Sequence, residues 1–229
     1  IEDLRDKVNK EGFSFEDTYF QLAEDITLPD GWKPIGATKN GRVDLQGGEN
    51  LNAFSGTLDG NNHTVTIPEG GLPLFGYVRN TRIRNLNIYG TKIAGYGLIN
   101  NFEGVGLSGM AVEIDNVTLK SGSSTLKAGL LGANKTMSAY AGCSSAFEAT
   151  VRNCTIEKDV VIGYSKKETE IGAIAGRMQG TVENCVSYAT VYGTSYVGGI
   201  IGTRDNAMGN CSVIGCKFYG TVEASGELA

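Results

Sequence analysis

The chain has 229 residues and a formal net charge of −5, with 41% hydrophobic and 20% charged residues. This balance supplies enough apolar side chains for a core and excludes a wholly disordered chain. The lysines and arginines are scattered, so no nucleic-acid partner is expected. No apolar run reaches the roughly 18 residues that span a bilayer, so we expect no membrane insertion of this segment.

Glycine accounts for 33 residues and proline for only four. Glycines spread among β-branched and aromatic residues predict many short strands joined by tight turns. A helix is expected only at the start, where Ile1, Leu4 and Val8 share one face of "IEDLRDKVNK". We interpret residues 1–229 as one domain, in which residues 1–20 cap a sheet edge and residues 21–229 form roughly seven repeat units.

The first polar motif along the chain is the turn "DGNNHT", which follows Leu58 and contains Asp59 and the only histidine, His63. Asp59 with Asn61 and Asn62 offers oxygen ligands, but the carboxylate count is too low for a calcium loop. The same residues are an ordinary turn signal. We therefore expect no metal and no cofactor, and treat Asp59 and His63 as possible ligand-binding residues.

A short pattern then recurs, made of an aliphatic residue, any residue, Asn and an apolar residue. Its copies contain Asn85, Asn116, Asn153 and Asn184, and a fifth copy has Gly215 in that place. The apolar residues on the two sides of the Asn have opposite parity, so a straight strand could not bury both. A left-handed bend, which Asn and Gly tolerate, would reset the parity.

Two other markers recur with about 25 to 40 residues per cycle, which is the signature of a repeated supersecondary unit. One is an apolar run bracketed by glycines, and the other is a tyrosine turn that reads "IYGT", "VYGT" and "FYGT". Because each unit is rich in strand-forming residues, the prediction is an all-β parallel β-helix. We expect the four Asn residues to form one ladder, in which the side chains of Asn116, Asn153 and Asn184 are buried and hydrogen-bonded to neighbouring units.

The residue before each Asn should face solvent. These positions hold Arg84, Asp115, Arg152 and Glu183, so the sign of the charge alternates from unit to unit. Opposite charges stacked on neighbouring strands contribute a few tenths of a kcal/mol per pair, so they would help to fix the register.

Cys154, Cys185 and Cys216 are separated by 31 residues each and follow the repeated Asn or Gly directly. A zinc site would need closely spaced Cys or His pairs, which this sequence lacks. We interpret the three cysteines as small apolar side chains in one interior column, although the spacing of stacked strands leaves a disulfide open. Cys143 and Cys211 are expected in loops, and the odd count of five predicts at least one free thiol.

The longest irregular segment after the N-terminal region is "ANKTMSAYAGCSSAFEAT", from Ala133 to Thr150. Binding sites are commonly carried by loops on rigid scaffolds, so this loop is the first candidate for recognition. Its aromatic residues Tyr140 and Phe147 are the possible binding side chains.

Further stretches resemble a known family. They are "DGWKPIG" (30–36), "FSGTLDGNNHTV" (54–65), "LFG" (74–76) and "IRNLNI" (83–88). Their order resembles the GLUG-motif proteins of bacterial cell surfaces, and similar repeats flank the immunoglobulin A proteases of streptococci. The resemblance implies a right-handed β-helix that is exported to the cell surface and often described as adhesin-like. The cysteine column and the loop 133–150 depart from the family pattern.

These features favour a non-catalytic, adhesin-like binding module or a structural repeat module of an extracellular protein. Its ligand would be an extracellular protein or a glycan, and further domains of the same chain are expected because the repeat stops within a unit. The alternative is a glycan-active β-helix enzyme, a polysaccharide lyase or hydrolase, which would need clustered carboxylates on one outer face. We expect no catalytic residue in this segment.

Overall fold

The computed structural model describes residues 1–38, 51–103, 112–133, 149–204 and 211–226. Strands dominate these residues, and one short helix lies at the N-terminus, which confirms the mostly β prediction. Tyr140, Phe147 and Cys143 lie outside the described residues, as does nearly all of the loop that the sequence favours for recognition.

The N-terminal helix α1 (Glu2–Asp6) continues into a π-helical turn (Lys7–Glu11) that ends at Gly12. Leu4 and Val8 are buried in the core, as their spacing predicts. Asn9 fixes the helix to the chain that follows: its side-chain nitrogen donates to the Pro34 carbonyl over 2.8 Å.

Twenty-five strands follow the helix within the described residues. The first ten are β1 (Tyr19–Gln21), β2 (Ile26–Thr27), β3 (Ala37–Thr38), β4 (Leu51–Asn52), β5 (Thr57–Asp59), β6 (Thr64–Ile67), β7 (Phe75–Arg79), β8 (Arg82–Gly90), β9 (Ile99–Glu103) and β10 (Val112–Leu119). The next eight are β11 (Ser124–Thr125), β12 (Leu131–Ala133), β13 (Ala149–Arg152), β14 (Thr155–Ile156), β15 (Val161–Ile162), β16 (Thr169–Gly172), β17 (Ala175–Met178) and β18 (Gly180–Glu183). The last seven are β19 (Val186–Ser187), β20 (Thr190–Gly193), β21 (Ser195–Gly198), β22 (Ile201–Arg204), β23 (Cys211–Ile214), β24 (Lys217–Phe218) and β25 (Thr221–Ala224).

The strands form parallel sheets in which each strand pairs with the equivalent strand of the next repeat. The largest sheet has a first half with the order β1-β5-β8-β10-β13-β18-β23. Its second half runs β2-β6-β8-β10-β14-β19-β24, because β8 and β10 are long enough to join both halves. The other parallel sheets are β7-β9-β12-β17-β22, β11-β15-β20-β25 and the pair β16-β21, and among the described strands only β3 and β4 pair antiparallel.

The two halves of the large sheet meet at the repeated Asn. The backbone there is left-handed, with φ of 51°, 53°, 56°, 52° and 63° at Asn85, Asn116, Asn153, Asn184 and Gly215. Residues on both sides of the bend face inward, since Ile83 and Leu86 are buried.

The expectation that the Asn side chains are buried is wrong. Asn116, Asn153 and Asn184 are exposed and Asn85 is half-buried, because the left-handed bend turns the side chain outward. Hydrogen bonds between neighbouring repeats are nevertheless present on the outside, where Asn116 Nδ2 donates to Asn85 Oδ1 over 2.9 Å. Asn153 Nδ2 donates to Asp115 Oδ1 over 2.8 Å.

The core is one continuous cluster of aliphatic and aromatic side chains enclosed by the parallel sheets. The glycine-bracketed runs let its walls approach closely. A Cβ atom on Gly129 would overlap the carbonyl oxygen of Ala173 on the next repeat. These glycines therefore mark places where two backbones touch, in addition to marking turns.

Asn184 offers a test of the bend, because within the described ranges its side chain forms no hydrogen bond, while its backbone N–H donates to the Ile214 carbonyl. We expect Asn184→Val to lower the free energy of unfolding by about 1–3 kcal/mol, since a β-branched residue is strained at positive φ. Asn184→Gly, the matched control, should stay within about 0.5 kcal/mol of the wild type because Gly215 already occupies the equivalent bend. Urea denaturation measures both, and equal losses would contradict the conformational explanation.

Candidate binding surface

The outward side of the second half of the large sheet carries a continuous row of polar and aromatic side chains. Thr66 of β6 pairs with Tyr89 of β8. The following repeats place Lys120, Glu157, Tyr188 and Tyr219 in the same file, as their backbone bonds to the preceding strand show. We call the six residues Thr66, Tyr89, Lys120, Glu157, Tyr188 and Tyr219 the outer row.

A depression of about 350 Å³ opens over the N-terminal part of the outer row. The strands β6 and β8 form its floor, and the turns after β10 and β14 form one side. It is lined by Asp25, Thr64, Thr66, Tyr89, Lys120, Ser121 and Glu157. Its volume is at the lower end of the range of about 300–1,000 Å³ that is usual for small-molecule sites.

The Glu157 carboxylate is held by donors from the preceding repeat. Lys120 Nζ lies 2.7 Å from Glu157 Oε1, and the Ser121 backbone N–H donates to Oε2 over 2.8 Å. Partial burial opposes ionisation of Glu157, but these two donors outweigh it and lower its pKa below the ordinary value. Glu157 is therefore ionised at neutral pH.

Asp25 lies at the opposite side of the depression and is exposed. Its Oδ1 accepts a hydrogen bond from the Thr64 backbone N–H over 2.9 Å and lies 3.1 Å from His63 Nδ1. The Thr64 bond first, and the His63 contact second, lower the pKa of Asp25. Both carboxylates of the depression thus carry a negative charge at neutral pH.

The tyrosines of the outer row are exposed. Tyr89 has 38% of its surface exposed and Tyr188 has 37%. The rings of Tyr188 and Tyr219 are stacked with their centroids 5.3 Å apart, and Lys158 Nζ lies 5.9 Å from the Tyr188 ring. This end of the row therefore presents two exposed, stacked aromatic rings.

His63, a predicted binding residue, lies in the turn between β5 and β6. Asn61 and Asn62 both have positive φ there, which is the geometry of a tight turn between strands. His63 is not in the lining of the depression, but it contacts Asp25, which is.

Asp59, the other predicted binding residue of this turn, is 5% exposed and occupied by internal donors. Its Oδ2 accepts from Tyr19 over 3.0 Å and from Arg84 over 2.9 Å. Its Oδ1 accepts from Asn85 over 3.1 Å and from the Asn61 backbone over 2.9 Å. These bonds join three repeats, so Asp59 holds strands together.

Asp59 also extends the predicted series of alternating charges. It pairs in register with Arg84, and the register continues through Asp115, Arg152 and Glu183. Arg84 bonds Asp59, and Arg152 bonds Asp115 over 3.0 Å. The sequence did not reveal this member, because Asp59 opens a turn motif and precedes the first repeated Asn.

The three repeated cysteines stand in one file beside Leu86 and Val117, with the flanking residues in parallel register. Cys154 and Cys185 are fully buried, while Cys216 is partly buried at the last described repeat. Burial raises the pKa of the Cys154 thiol well above its ordinary value. Cys211, which was expected in a loop, is the first residue of strand β23.

Two tyrosines of the outer row were visible in the sequence only as a repeat marker. Tyr89 and Tyr219 belong to the first and last of the "YGT" turns and share the row. Tyr192, from the second of these turns, lies instead in β20 and pairs with Glu223. The marker therefore occurs at two different positions of the repeat, and Tyr188, the third tyrosine of the row, is not part of it.

Comparison with known proteins finds one with a similar fold but shows no family. No family model matches the chain, and no curated protein matches its sequence. A crystal structure of a "putative immunoglobulin A1 protease from Bacteroides ovatus" matches with a TM-score of 0.57 and 20% identity. The match covers 92% of this chain and 62% of that chain, so this chain spans less than two-thirds of the neighbour's length. At this identity the likeness shows the fold alone.

Two further observations concern the described residues. None of the described helices has the length and apolar character required to span a membrane. No group of three or more His, Cys, Asp or Glu side chains that could hold a metal ion is found in the described ranges.

The contacts of Asp59 predict acid-sensitive stability. Its burial opposes ionisation, but its donors prevail and lower its pKa, so its contribution is present above the unfolded value of about 3.9 and is lost as pH falls through the lower folded value. Asp59→Asn should cost about 2–4 kcal/mol at pH 7, with a loss that shrinks at pH 2–3. Urea midpoints across pH 2–7 measure this.

The matched control is Asp3→Asn on the N-terminal helix, where the carboxylate is 83% exposed and forms only a surface ion pair. It should change the urea midpoint little at any pH. An Asp59→Asn loss that is the same at pH 2 and pH 7 would mean that packing, and not the charge, explains the effect.

The cysteine file predicts an order of thiol reactivity. In the folded protein Cys154 and Cys185 should resist a thiol reagent because they are buried, whereas Cys211 and Cys216 should react first. Peptide mapping by mass spectrometry after timed labelling measures each site, and all should react in denaturant. Cys154→Val should cost less than about 1.5 kcal/mol because Val117 fills the equivalent place. Rapid native labelling of Cys154 would contradict this packing role.

Proposed function

We propose that the chain is a non-catalytic binding module of a bacterial cell-surface protein, folded as a right-handed parallel β-helix. The observation that carries the proposal is the outer row, an ordered file of half-buried polar and exposed aromatic side chains on a rigid parallel sheet. Exposed aromatic and polar side chains at fixed spacing favour contact with an extracellular protein or glycan. The resemblance to GLUG-motif proteins supports the location at the cell surface.

The rigidity of the sheet supports the proposal. Each strand of the large sheet hydrogen-bonds to its neighbours, and the ion pairs of Asp59 with Arg84 and of Asp115 with Arg152 fix its register. A surface that is already ordered loses little conformational entropy when it binds a partner. The outer row is therefore preorganised for binding.

The electrostatics of the depression favour binding over catalysis. General acid–base chemistry needs one group that is protonated and poised to donate near the working pH. The donors around Asp25 and Glu157 lower both pKa values, so both carboxylates accept hydrogen bonds and neither serves as a proton donor at neutral pH.

One observation favours the alternative, a glycan-active enzyme. Asp25 and Glu157 line the same depression together with Lys120 and Tyr89. A pair of carboxylates beside a base and a phenol is the type of group that hydrolases and lyases use. The structural neighbour is named a putative protease, so proteolysis is also worth measuring.

Binding and turnover assays on the same preparation test the proposal. Residues 1–229 are applied to immobilised glycans and extracellular matrix proteins, and the same protein is assayed for glycan hydrolysis, β-elimination and proteolysis between pH 5 and 8. We expect saturable binding and no product above the buffer rate. Reproducible turnover that is lost in Asp25→Asn or Glu157→Gln would overturn the non-catalytic proposal in favour of the enzyme.

A second variant locates the binding surface. Residues 134–148 form the inner part of the loop 133–150 that the sequence favours for recognition. Replacing them with a Gly-Ser connector of equal length should leave binding unchanged if the outer row carries it. Loss of binding with an unchanged thermal midpoint would transfer the site to that segment.

A further inference from the structure

We infer that the depression beside Tyr89 is a site for a neutral oligosaccharide, which lies along the outer row with one sugar ring against the tyrosine. The inference rests on the proposed binding function and adds the ligand class and the position. It depends on four properties of the depression: its hydroxyl lining, its aromatic ring, its charge and its continuation along the sheet.

The lining is rich in hydroxyl groups. Thr64 and Thr66 of β6 and Ser121 after β10 contribute side-chain hydroxyls, and Tyr89 contributes a phenol. Among the described residues, the structure gives the Thr64, Thr66 and Ser121 hydroxyls no hydrogen-bond partner. A hydroxyl both donates and accepts, so this lining matches the hydroxyls of a sugar better than it matches a ligand of only one kind.

Tyr89 supplies an apolar surface within the polar lining. Its ring lies beside Gly122, where a Cβ atom would come within 3.8 Å of Tyr89 Cε2. Because position 122 is a glycine, no side chain covers this edge of the ring. A tyrosine has few torsions to immobilise and combines an apolar ring with a polar hydroxyl, so it suits a ligand with both kinds of surface.

The charge of the depression selects against acidic ligands. Asp25 and Glu157 are both ionised, and the one lysine of the lining is already paired with Glu157. Asp25 uses Oδ1 for the Thr64 backbone, and among the described residues its Oδ2 has no bond. That oxygen can accept from a sugar hydroxyl, whereas a uronate or sulfated sugar would meet two carboxylates at close range.

The outer row continues beyond the depression in the direction of the stack. Neighbouring strands are about 4.8 Å apart, so Tyr188 lies three strands, or about 14 Å, beyond Tyr89. A ligand that runs along the stack from Tyr89 would pass the Lys120–Glu157 pair and reach the Tyr188 and Tyr219 rings. This geometry fits a linear oligosaccharide better than a single sugar.

The test is titration calorimetry with defined probes. These are neutral linear hexasaccharides of β-1,4-glucan, α-1,4-glucan, β-1,4-mannan and β-1,4-xylan, the corresponding disaccharides, and an oligogalacturonate of six units. We expect at least one neutral hexasaccharide to bind, its disaccharide to bind more weakly, and the acidic probe not to bind. Failure of every neutral hexasaccharide to bind would overturn the inference.

Variants locate the site. Tyr89→Ala should raise the dissociation constant of the hexasaccharide by about tenfold or more, as is typical when a central aromatic contact is truncated. Tyr196→Ala is the matched control, because Tyr196 is 63% exposed but lies in β21 of another sheet. Thermal midpoints within a few degrees of the wild type show that each variant is folded.

The outcomes separate this inference from the proposed function. A hexasaccharide that binds Tyr89→Ala and wild type equally would overturn the site and leave the binding module intact. Binding to a protein but to none of the glycans would overturn the ligand class alone. Loss of affinity in Tyr196→Ala instead of Tyr89→Ala would place the glycan site on the β16-β21 pair.

Discussion

The structure depends on one constraint, the parallel register that pairs each strand with its equivalent in the next repeat. In such a stack, a residue that faces inward must be followed one repeat later by another residue that fits the interior. The left-handed bend at Asn85, Asn116, Asn153 and Asn184 allows apolar residues on both sides of it to face inward in every repeat. Without that bend, one-half of each strand would present its apolar side chains to water.

The same register builds the exterior. Because equivalent residues stack, the outward side chains form continuous files along the sheet. One is the ion-paired file that starts at Asp59, and the other is the outer row that includes Tyr89. In the first file, Arg84 bonds Asp59 and Arg152 bonds Asp115 across neighbouring strands, so these pairs stabilise the sheet. The second retains exposed tyrosine rings, and it is the surface that we propose for recognition. The stabilising file and the proposed recognition surface are thus only a few residues apart within each repeat.

Much of the fold followed from local chemistry in the sequence. The shared tolerance of Asn and Gly for positive φ predicted the bend, and the 31-residue spacing of Cys154 and Cys185 predicted their common file. The outward direction of the Asn side chain at the bend could not be predicted. The inward direction of Ile83 and Leu86 does not determine the direction of a side chain that lies between them. The outer row could not be recognised in the sequence because the number of residues per repeat varies. Ile83 pairs with Ile114 after 31 residues, but Ile114 pairs with Val151 after 37.

A distance across the stack tests the register most directly. Arg82 and Ser212 face outward in the same file, four strands apart by way of Glu113, Thr150 and Thr181. Spin labels attached to unnatural amino acids at positions 82 and 212 leave the native cysteines in place, and pulsed electron resonance then measures their separation. Because neighbouring strands are about 4.8 Å apart, we expect a narrow distribution of label-to-label distances centred at about 19 Å, although 130 residues separate the two sites along the chain. A broad distribution, or a mean beyond about 30 Å, would contradict the parallel stack from which the outer row and its proposed ligand follow.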